Sequence, residues 1–403
     1  MKLIDHFERF EPPLLFTFAQ NARRLAAEGV DLVSMEQGQM DFPTPANVIA
    51  AANAFTEEGH VLYTNVDGTP ELKAAIRAKL SRDNNLEFSD EEVFVGAGTS
   101  QVIFNAFAVT LSPGDEVIIP TPAWTVFSLG VTANRGNVVE LATTQVEGFK
   151  LTPQKLESAI TDRTRWLILN SPSNPTGALY SPKELQAIAD VLERHPHVSV
   201  MSDDLYEHQV YDDAEFLNIL NVAPHLRDRV LVINGVAKTF GMTGWRIGYG
   251  VGPHHLLTAM KWYQAPASSS PCHVSQVAAV EALNGPKDYL NDRLRLLQER
   301  RDMLVSGLNQ IPGWSALSSE GAFYVYASCE GLIGAQIQNG DRLEDDVDVA
   351  MYLLHHAHVV TVPGRAFGLS PFIRMSFGSS SERVAEGLRR IAEATGQLKG
   401  VGS

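Results

Sequence analysis

Cysteine is nearly absent: the 403-residue chain carries only 2, Cys272 and Cys329. They stand far apart with no CxxC partner, which excludes a disulfide framework and a cysteine metal site and fits a reducing compartment. Clustered positive charge is missing as well. The 32 Lys and Arg are outnumbered by 47 Asp and Glu, for a formal net charge of -15. Without a basic run to neutralise phosphates, broad nucleic-acid binding is excluded. No stretch approaches the roughly eighteen uninterrupted apolar residues of a membrane span. The opening MKLIDHFERFEPP mixes charges of both signs and reaches Pro12 and Pro13 early, unlike a secretory leader. Internal repeats and low-complexity linkers are lacking too. What remains is an expected cytoplasmic protein of ordinary globular composition, long enough for about two or three domains.

What is present has an α/β rhythm. From about Glu92 to Val251 the runs EVFV, EVIIP, NVVEL, WLILN, VSVMS, VLVIN and IGYGV alternate with helical patterns. Several are apolar at nearly every position, as strands covered on both faces by crossover helices must be. Ser181, Pro182 and Glu184 spell a capped helix start between two of them. After Gly285 a long charged helix, roughly 287–310, precedes GAFYVYA, a helix through His355, VVTVP, FIRMSF and a last amphipathic helix. This predicts a large domain over 46–285 and a smaller α+β domain built from 1–45 and 286–403.

Chemistry concentrates in VLVINGVAKTFGMTGWRIGYG, which ends an apolar strand on Lys238 and sets Arg246 eight residues later. An amine at the end of a buried strand loses hydration, which leaves a nucleophilic neutral form available to a carbonyl. A guanidinium offers a fork of donors suited to phosphate or carboxylate. Together they fit a phosphorylated aldehyde. In VFVGAGTSQVIFNAF a strand runs through Gly98, Thr99 and Ser100 into a helix, so free amides of the first turn make either an anion site or an ordinary capped glycine turn. Asn174 in NSPSNPTG either hydrogen-bonds a phenolate or bonds its own turn backbone. Asp203 reaches a strand's carboxyl end with Tyr206 three residues on, where open α/β sheets collect ligands. A buried Asp203 would require a cation such as a protonated pyridine nitrogen. Asp204 and Glu207 read as solvated acids or caps. Trp124 either stacks on a flat ring or packs in the core.

Taken in order, GAGTSQ, PAW, NSPSNPTG, SDDLYEH, NGVAKTFGMTGWRIGYGVGP, EGAFYV, VPGRAFG and FIRMSFG resemble the class I/II aminotransferases, which use pyridoxal 5'-phosphate (PLP) on fold type I. The resemblance runs from about Gly38 to Gly378. It implies a large domain with a mostly parallel seven-stranded sheet and a smaller α+β domain. By the same resemblance, Lys238 carries the Schiff base, Asp203 pairs with the pyridine nitrogen, and Asn174 and Tyr206 bind the ring hydroxyl. Gly98, Thr99, Ser100 and Arg246 hold the phosphate, with Trp124 over the ring. Arg374 clamps the substrate α-carboxylate beside Gly38. Tyr63 reaches the phosphate of a second subunit, which implies a homodimer with shared active sites.

The chain also departs from that pattern. Met40 replaces a proline, Ala123 a tyrosine and Ala237 a serine, and at about Ala108 some aspartate-specific relatives carry a lysine for the distal carboxylate. The expectation is amino transfer from an L-amino acid to a 2-oxo acid by a ping-pong mechanism, with neutral or aromatic side chains favoured and aspartate left open. Phe16, Phe18, Trp124 and the loop 267–273 are read as the side-chain pocket. A PLP-dependent β-lyase is the first rival and a non-catalytic ligand sensor the second, although the chain begins too close to the fold to hold the DNA-binding domain such sensors append. No HExxH or nearby cysteine completes His355, His356 and His358 as a metal site. Glu344, Asp345, Asp346 and Asp348 sit where a helix begins, as its dipole favours.

Overall fold

The computed structural model describes residues 14–401. The remaining part of the expected small domain, 1–13 and 402–403, lies outside the described residues. The seven apolar runs form one sheet in the spatial order Val93–Gly96, Gly248–Val251, Val230–Gly235, Ser199–Asp203, Thr164–Asn170, Glu116–Thr121, Asn137–Ala142. Neighbours are parallel except Gly248–Val251, which is antiparallel to the strands on both sides. The fold is the expected α/β architecture with a mostly parallel seven-stranded sheet.

The apolar runs have the physical cause anticipated. Val230–Gly235 is buried at every position because both faces of the sheet are covered. One face packs on a cluster containing Leu72, Ile76, Leu185 and Ile188, and the other on Ile103, Phe107, Phe127 and Leu257. Each such side chain contributes about 1.5–3 kcal/mol by leaving water. The edge strand Asn137–Ala142 is only partly covered, and it carries the exposed polar residues Asn137 and Glu140 accordingly. The helix Pro182–Arg194 begins on the predicted box: the Ser181 amide donates to Glu184 at 2.7 Å, and the Glu184 amide donates to the Ser181 hydroxyl at 3.4 Å.

A second, antiparallel sheet runs Val362–Pro363, Phe372–Ser376, Tyr324–Ser328, Ser315–Ala316. The helices Tyr289–Leu308 and Ser381–Thr395 give Leu297, Leu304, Val384 and Ile391 to the core beneath it. Phe18, from the helix Leu14–Ala27, lies in this same core at 1% exposure, while Phe16 faces solvent at 63%. Neither lines the cavity described below, so their expected place in a side-chain pocket is corrected: helical periodicity sends one inward and the other out. The two-residue strand Val33–Ser34 pairs in parallel with Val359–Val360 as a separate small sheet, and the Ser376 amide, donating to the Met35 carbonyl at 2.7 Å, ties the early chain to the four-stranded one.

The helix expected through His355 is regular over Asp346–Tyr352 and then widens over Leu353–Ala357. His356 stacks on Tyr352 at 4.6 Å. Asp345 caps the helix, accepting from the amides of Val347 and Asp348 at 2.9 and 3.0 Å. No helix among the described residues is long and apolar enough to cross a membrane.

Candidate active site

A cavity of about 230 Å³ opens where the parallel strands end. Its lining includes Gly38, Gly98, Thr99, Ser100, Trp124, Asn174, Asp203, Tyr206, Lys238, Arg246 and Arg374. Every residue expected to hold the cofactor or the substrate α-carboxylate, except Tyr63, is therefore brought to one place. Tyr63 lies outside the cavity, at 92% exposure, beside the exposed Val61 and Leu62.

Asp203 ends the strand Ser199–Asp203 and is 2% exposed. The Leu205 amide donates to its carboxylate at 3.3 Å. Burial raises the Asp203 carboxyl to about 7, with that amide and Lys238 opposing. Lys238 follows the strand Val230–Gly235. Burial lowers its ammonium to about 8, helped by repulsion from Arg374 and Arg246 and opposed by Asp203. Its Nζ donates to the carbonyl oxygen of Gly38.

The anion end is built from glycine and arginine. Gly98 precedes the helix Thr99–Thr110 with φ 89°. A Cβ there would sit 2.4 Å from Nη2 of Arg246, so only glycine lets the guanidinium reach the helix start. The approach of the two segments is close elsewhere too, since a Cβ on Gly248 would meet the Thr99 amide nitrogen at 2.2 Å. Arg246 itself holds a left-handed backbone, φ 59° and ψ 50°, a conformation that costs on the order of 1 kcal/mol or more for a residue with a side chain. Its Nη1 donates to the Thr243 carbonyl at 3.0 Å.

Arg374 arrives from the second sheet and is 3% exposed. Nη1 donates to Oδ1 of Asn174 at 3.0 Å and Nη2 to the Glu36 carbonyl at 2.5 Å. Its guanidinium carbon lies 4.6 Å from the centroid of the Tyr324 ring. The asparagine that bonds the turn backbone is Asn170, which accepts from the Asn174 amide at 2.8 Å. That leaves the Asn174 side chain free to face the cavity. Trp124 lines the cavity and meets Phe127 edge-on at 5.8 Å.

Sequence reasoning missed Glu36, Asn170, Thr243 and Tyr324, all in the lining. EGAFYV carries the family resemblance, but nothing in it marks Tyr324 as facing the site. It also misplaced Asp204 and Glu207, which are 3% and 8% exposed. Asp204 accepts from Ser202 at 2.7 Å and Asn218 at 2.5 Å, and burial raises its carboxyl well above the usual range. Glu207 pairs with Lys79 and accepts from Asn84 at 2.6 Å and Asn234 at 2.8 Å. Burial opposes its ionisation, yet these partners outweigh it and its carboxyl sits below the ordinary value. The loop 267–273 is likewise displaced from its expected role: Ala267 and Ser268 border a separate apolar hollow with Phe104, Leu129 and Tyr263.

With this geometry in view, the chain matches the family Aminotransferase class I and II over residues 30–391. It belongs to that family. It is similar to the aspartate aminotransferase of Rhizobium meliloti (strain 1021), with 48% identity over 94% of this chain and 92% of the relative. To the aspartate/prephenate aminotransferase of Cereibacter sphaeroides it is 46% identical over 96% of this chain and 97% of the relative. The crystal structure of the Rhizobium meliloti enzyme superposes with a TM-score of 0.96 at 45% identity, covering 99% and 100% of the two chains. The Thermus thermophilus aspartate aminotransferase with maleate gives 0.91 at 35%, covering 98% and 100%.

The enzyme is a PLP-dependent aminotransferase. Its residues fit that cofactor. Asp203 is a buried carboxylate in want of a cation, and a pyridinium nitrogen is one. The glycine-opened cradle between Arg246 and the helix start suits a phosphate. Lys238 offers an amine whose neutral form is accessible near neutral pH.

Proposed function

We propose that this aminotransferase moves the amino group of an L-amino acid with a neutral or aromatic side chain to a 2-oxo acid, with Lys238 as the imine-forming amine. The reading rests on one observation: Lys238, Asp203 and Arg374 converge on a single cavity of about 230 Å³. PLP supplies an aldehyde carbon for imine exchange and a ring that takes up electron density. Asp203 holds a proton against the pyridine nitrogen, and Asn174 and Tyr206 bind the ring oxygen. Arg246 with Gly98, Thr99 and Ser100 holds the phosphate, and Trp124 covers the ring face. Arg374 grips the substrate α-carboxylate beside the Gly38 backbone. Lys238 would be the base that takes the proton from the substrate Cα and hands that same proton to the cofactor carbon that bears the imine. Both substrates use one pocket in turn, so ping-pong kinetics follow.

The side-chain preference is supported by charge. Three cations line the cavity among the described residues, and each is committed: Lys238, Arg246 and Arg374. Glu36 adds a carboxylate, so a second acidic group on a substrate gains nothing from this chain. The relatives' names keep aspartate as the rival donor. Residues 46–285 form the cofactor domain and 1–45 with 286–403 the small domain in this reading, supported by separate hydrophobic clusters under each sheet. A second copy covers the exposed Val61, Leu62 and Tyr63, bringing Tyr63 to its phosphate. The unpaired Cys272 and Cys329 favour a cytoplasmic setting.

The test incubates holoenzyme with single amino acids and follows the cofactor absorbance and the 2-oxo acid by mass spectrometry. Neutral and aromatic amino acids convert, and aspartate lags. Aspartate as the fastest donor removes the side-chain preference, and ammonia with pyruvate in the absence of an acceptor makes the enzyme a β-lyase. Borohydride reduction and peptide mapping should place the cofactor on Lys238; a tag elsewhere ends the reading.

A further inference from the structure

Two polar atoms of the cavity stand buried without hydrogen-bond partners among the described residues: Oε2 of Glu36 and Nε of Arg374. One is an acceptor and the other a donor, and both side chains line the same space. The Arg374 donor awaits the substrate α-carboxylate under the proposed function. Nothing so far accounts for the acceptor.

Glu36 is not needed to hold Arg374 in place. It is the backbone oxygen of Glu36 that accepts from Nη2, while Asn174 secures Nη1. The backbone at Glu36 is itself fixed from both sides. The Met35 amide donates to the Val360 carbonyl at 2.9 Å, the Ser376 amide donates to the Met35 carbonyl at 2.7 Å, and Nζ of Lys238 donates to Gly38. The side chain therefore starts from a rigid base beside the reacting amine. Burial raises its carboxyl, opposed by its own backbone amide, by Arg374 and by the Ser34 hydroxyl, while Oε2 keeps no hydrogen-bond partner.

We infer that Glu36 determines specificity by accepting a hydrogen bond from the substrate side chain. The enzyme then prefers amino acids whose uncharged side chains carry an N–H or O–H over hydrocarbon or thioether side chains of the same size, and it disfavours side-chain carboxylates. A ligand gripped by Arg374 through its α-carboxylate brings its side chain into the space Glu36 shares. A donor there satisfies an oxygen otherwise buried bare, whereas an apolar group of equal size leaves it so, a difference of roughly tenfold in binding. A carboxylate meets like charge. The inference rests on the transamination reading and names its substrate class.

The experiment compares wild-type holoenzyme with Glu36→Leu and Glu36→Gln on two near-isosteric pairs, glutamine against methionine and asparagine against leucine. Half-reaction kcat/KM is measured, and α-methyl analogues, which have no Cα hydrogen to lose, give the same comparison as dissociation constants. Wild type should favour glutamine and asparagine. Glu36→Leu should cut that preference roughly tenfold and raise kcat/KM for aspartate, while Glu36→Gln, which keeps an acceptor oxygen, retains most of the preference and also gains on aspartate. An unchanged ratio in Glu36→Leu overturns the inference, as does an equal loss on all four substrates, which would make Glu36 a support for Arg374. Should Glu36→Leu fail to fold, the aspartate gain in Glu36→Gln decides. Wild type converting no amino acid at all would instead bring down the proposed function with it.

Discussion

The phenol oxygens of Tyr206 and Tyr324 lie 3.1 Å apart, joining the turn after the Asp203 strand to the second sheet. With Tyr206 donating to the ring oxygen, Tyr324 is left to donate to Tyr206. Tyr324→Phe removes that support at little cost in volume. Its kcat/KM should fall by up to about tenfold, and the absorbance of the holoenzyme should titrate at higher pH than in the wild type. An unmoved titration would show that the two hydroxyls act independently.

Asp203 and Lys238 share one electrostatic field. Because the Asp203 charge raises the Lys238 ammonium against burial, Asp203→Asn should move it below its value of about 8. Amine-reactive labelling of Lys238 in cofactor-free protein, read by mass spectrometry against pH, measures this. Wild type should show a midpoint near that value and the variant a lower one, with transamination by the variant reduced by several orders of magnitude.

The raised Asp203 carboxyl also bears on stability. A folded-state value of about 7 against 3.8 unfolded means the folded protein binds this proton more tightly. Its contribution is complete below about pH 4 and is lost as pH rises to about 7. Cofactor-free Asp203→Asn escapes that loss, so urea unfolding at pH 8 should find it more stable than wild type by roughly 2 kcal/mol. A less stable variant would refute the sign.

Gly98→Ala places a methyl 2.4 Å from Arg246 on a backbone with φ 89°. The guanidinium must withdraw from the helix start, and cofactor affinity, followed by fluorescence quenching, should weaken roughly tenfold or more, the cost of one displaced charged contact. The affinity for pyridoxal without phosphate should change far less.

Glu207→Ala strands Lys79 in the interior, where both were buried and paired. Loss of one partner of such a pair costs about 3–5 kcal/mol. A clear fall in Tm of the holoenzyme is the expected result, and Lys79→Met with Glu207→Leu together should recover much of it.

How much of this was readable in advance depended on distance along the chain. Asp203 ends a buried strand, and Lys238 and Gly98 come within a few residues after one, so strand pattern and chemistry coincide. All seven strands of the large sheet were legible for the same reason. Glu36 and Tyr324 carry no such local mark; packing of the second sheet aims them at the cavity. Glu207 looked like a surface acid because the lysine that neutralises it lies 128 residues away. Phe18 and Phe16 were misplaced because a short apolar patch does not say which face of its helix is covered.

Among the described residues the strand Val33–Ser34 finds its partner in Val359–Val360, and Glu36 and Gly38 follow shortly after it. Some three hundred residues must therefore leave the ribosome before the early segment has anything to dock on. Until then the nascent chain can shape the large sheet, whereas the wall of the pocket that Glu36 and Gly38 supply is missing, so the substrate side of the cavity is the last part to be assembled.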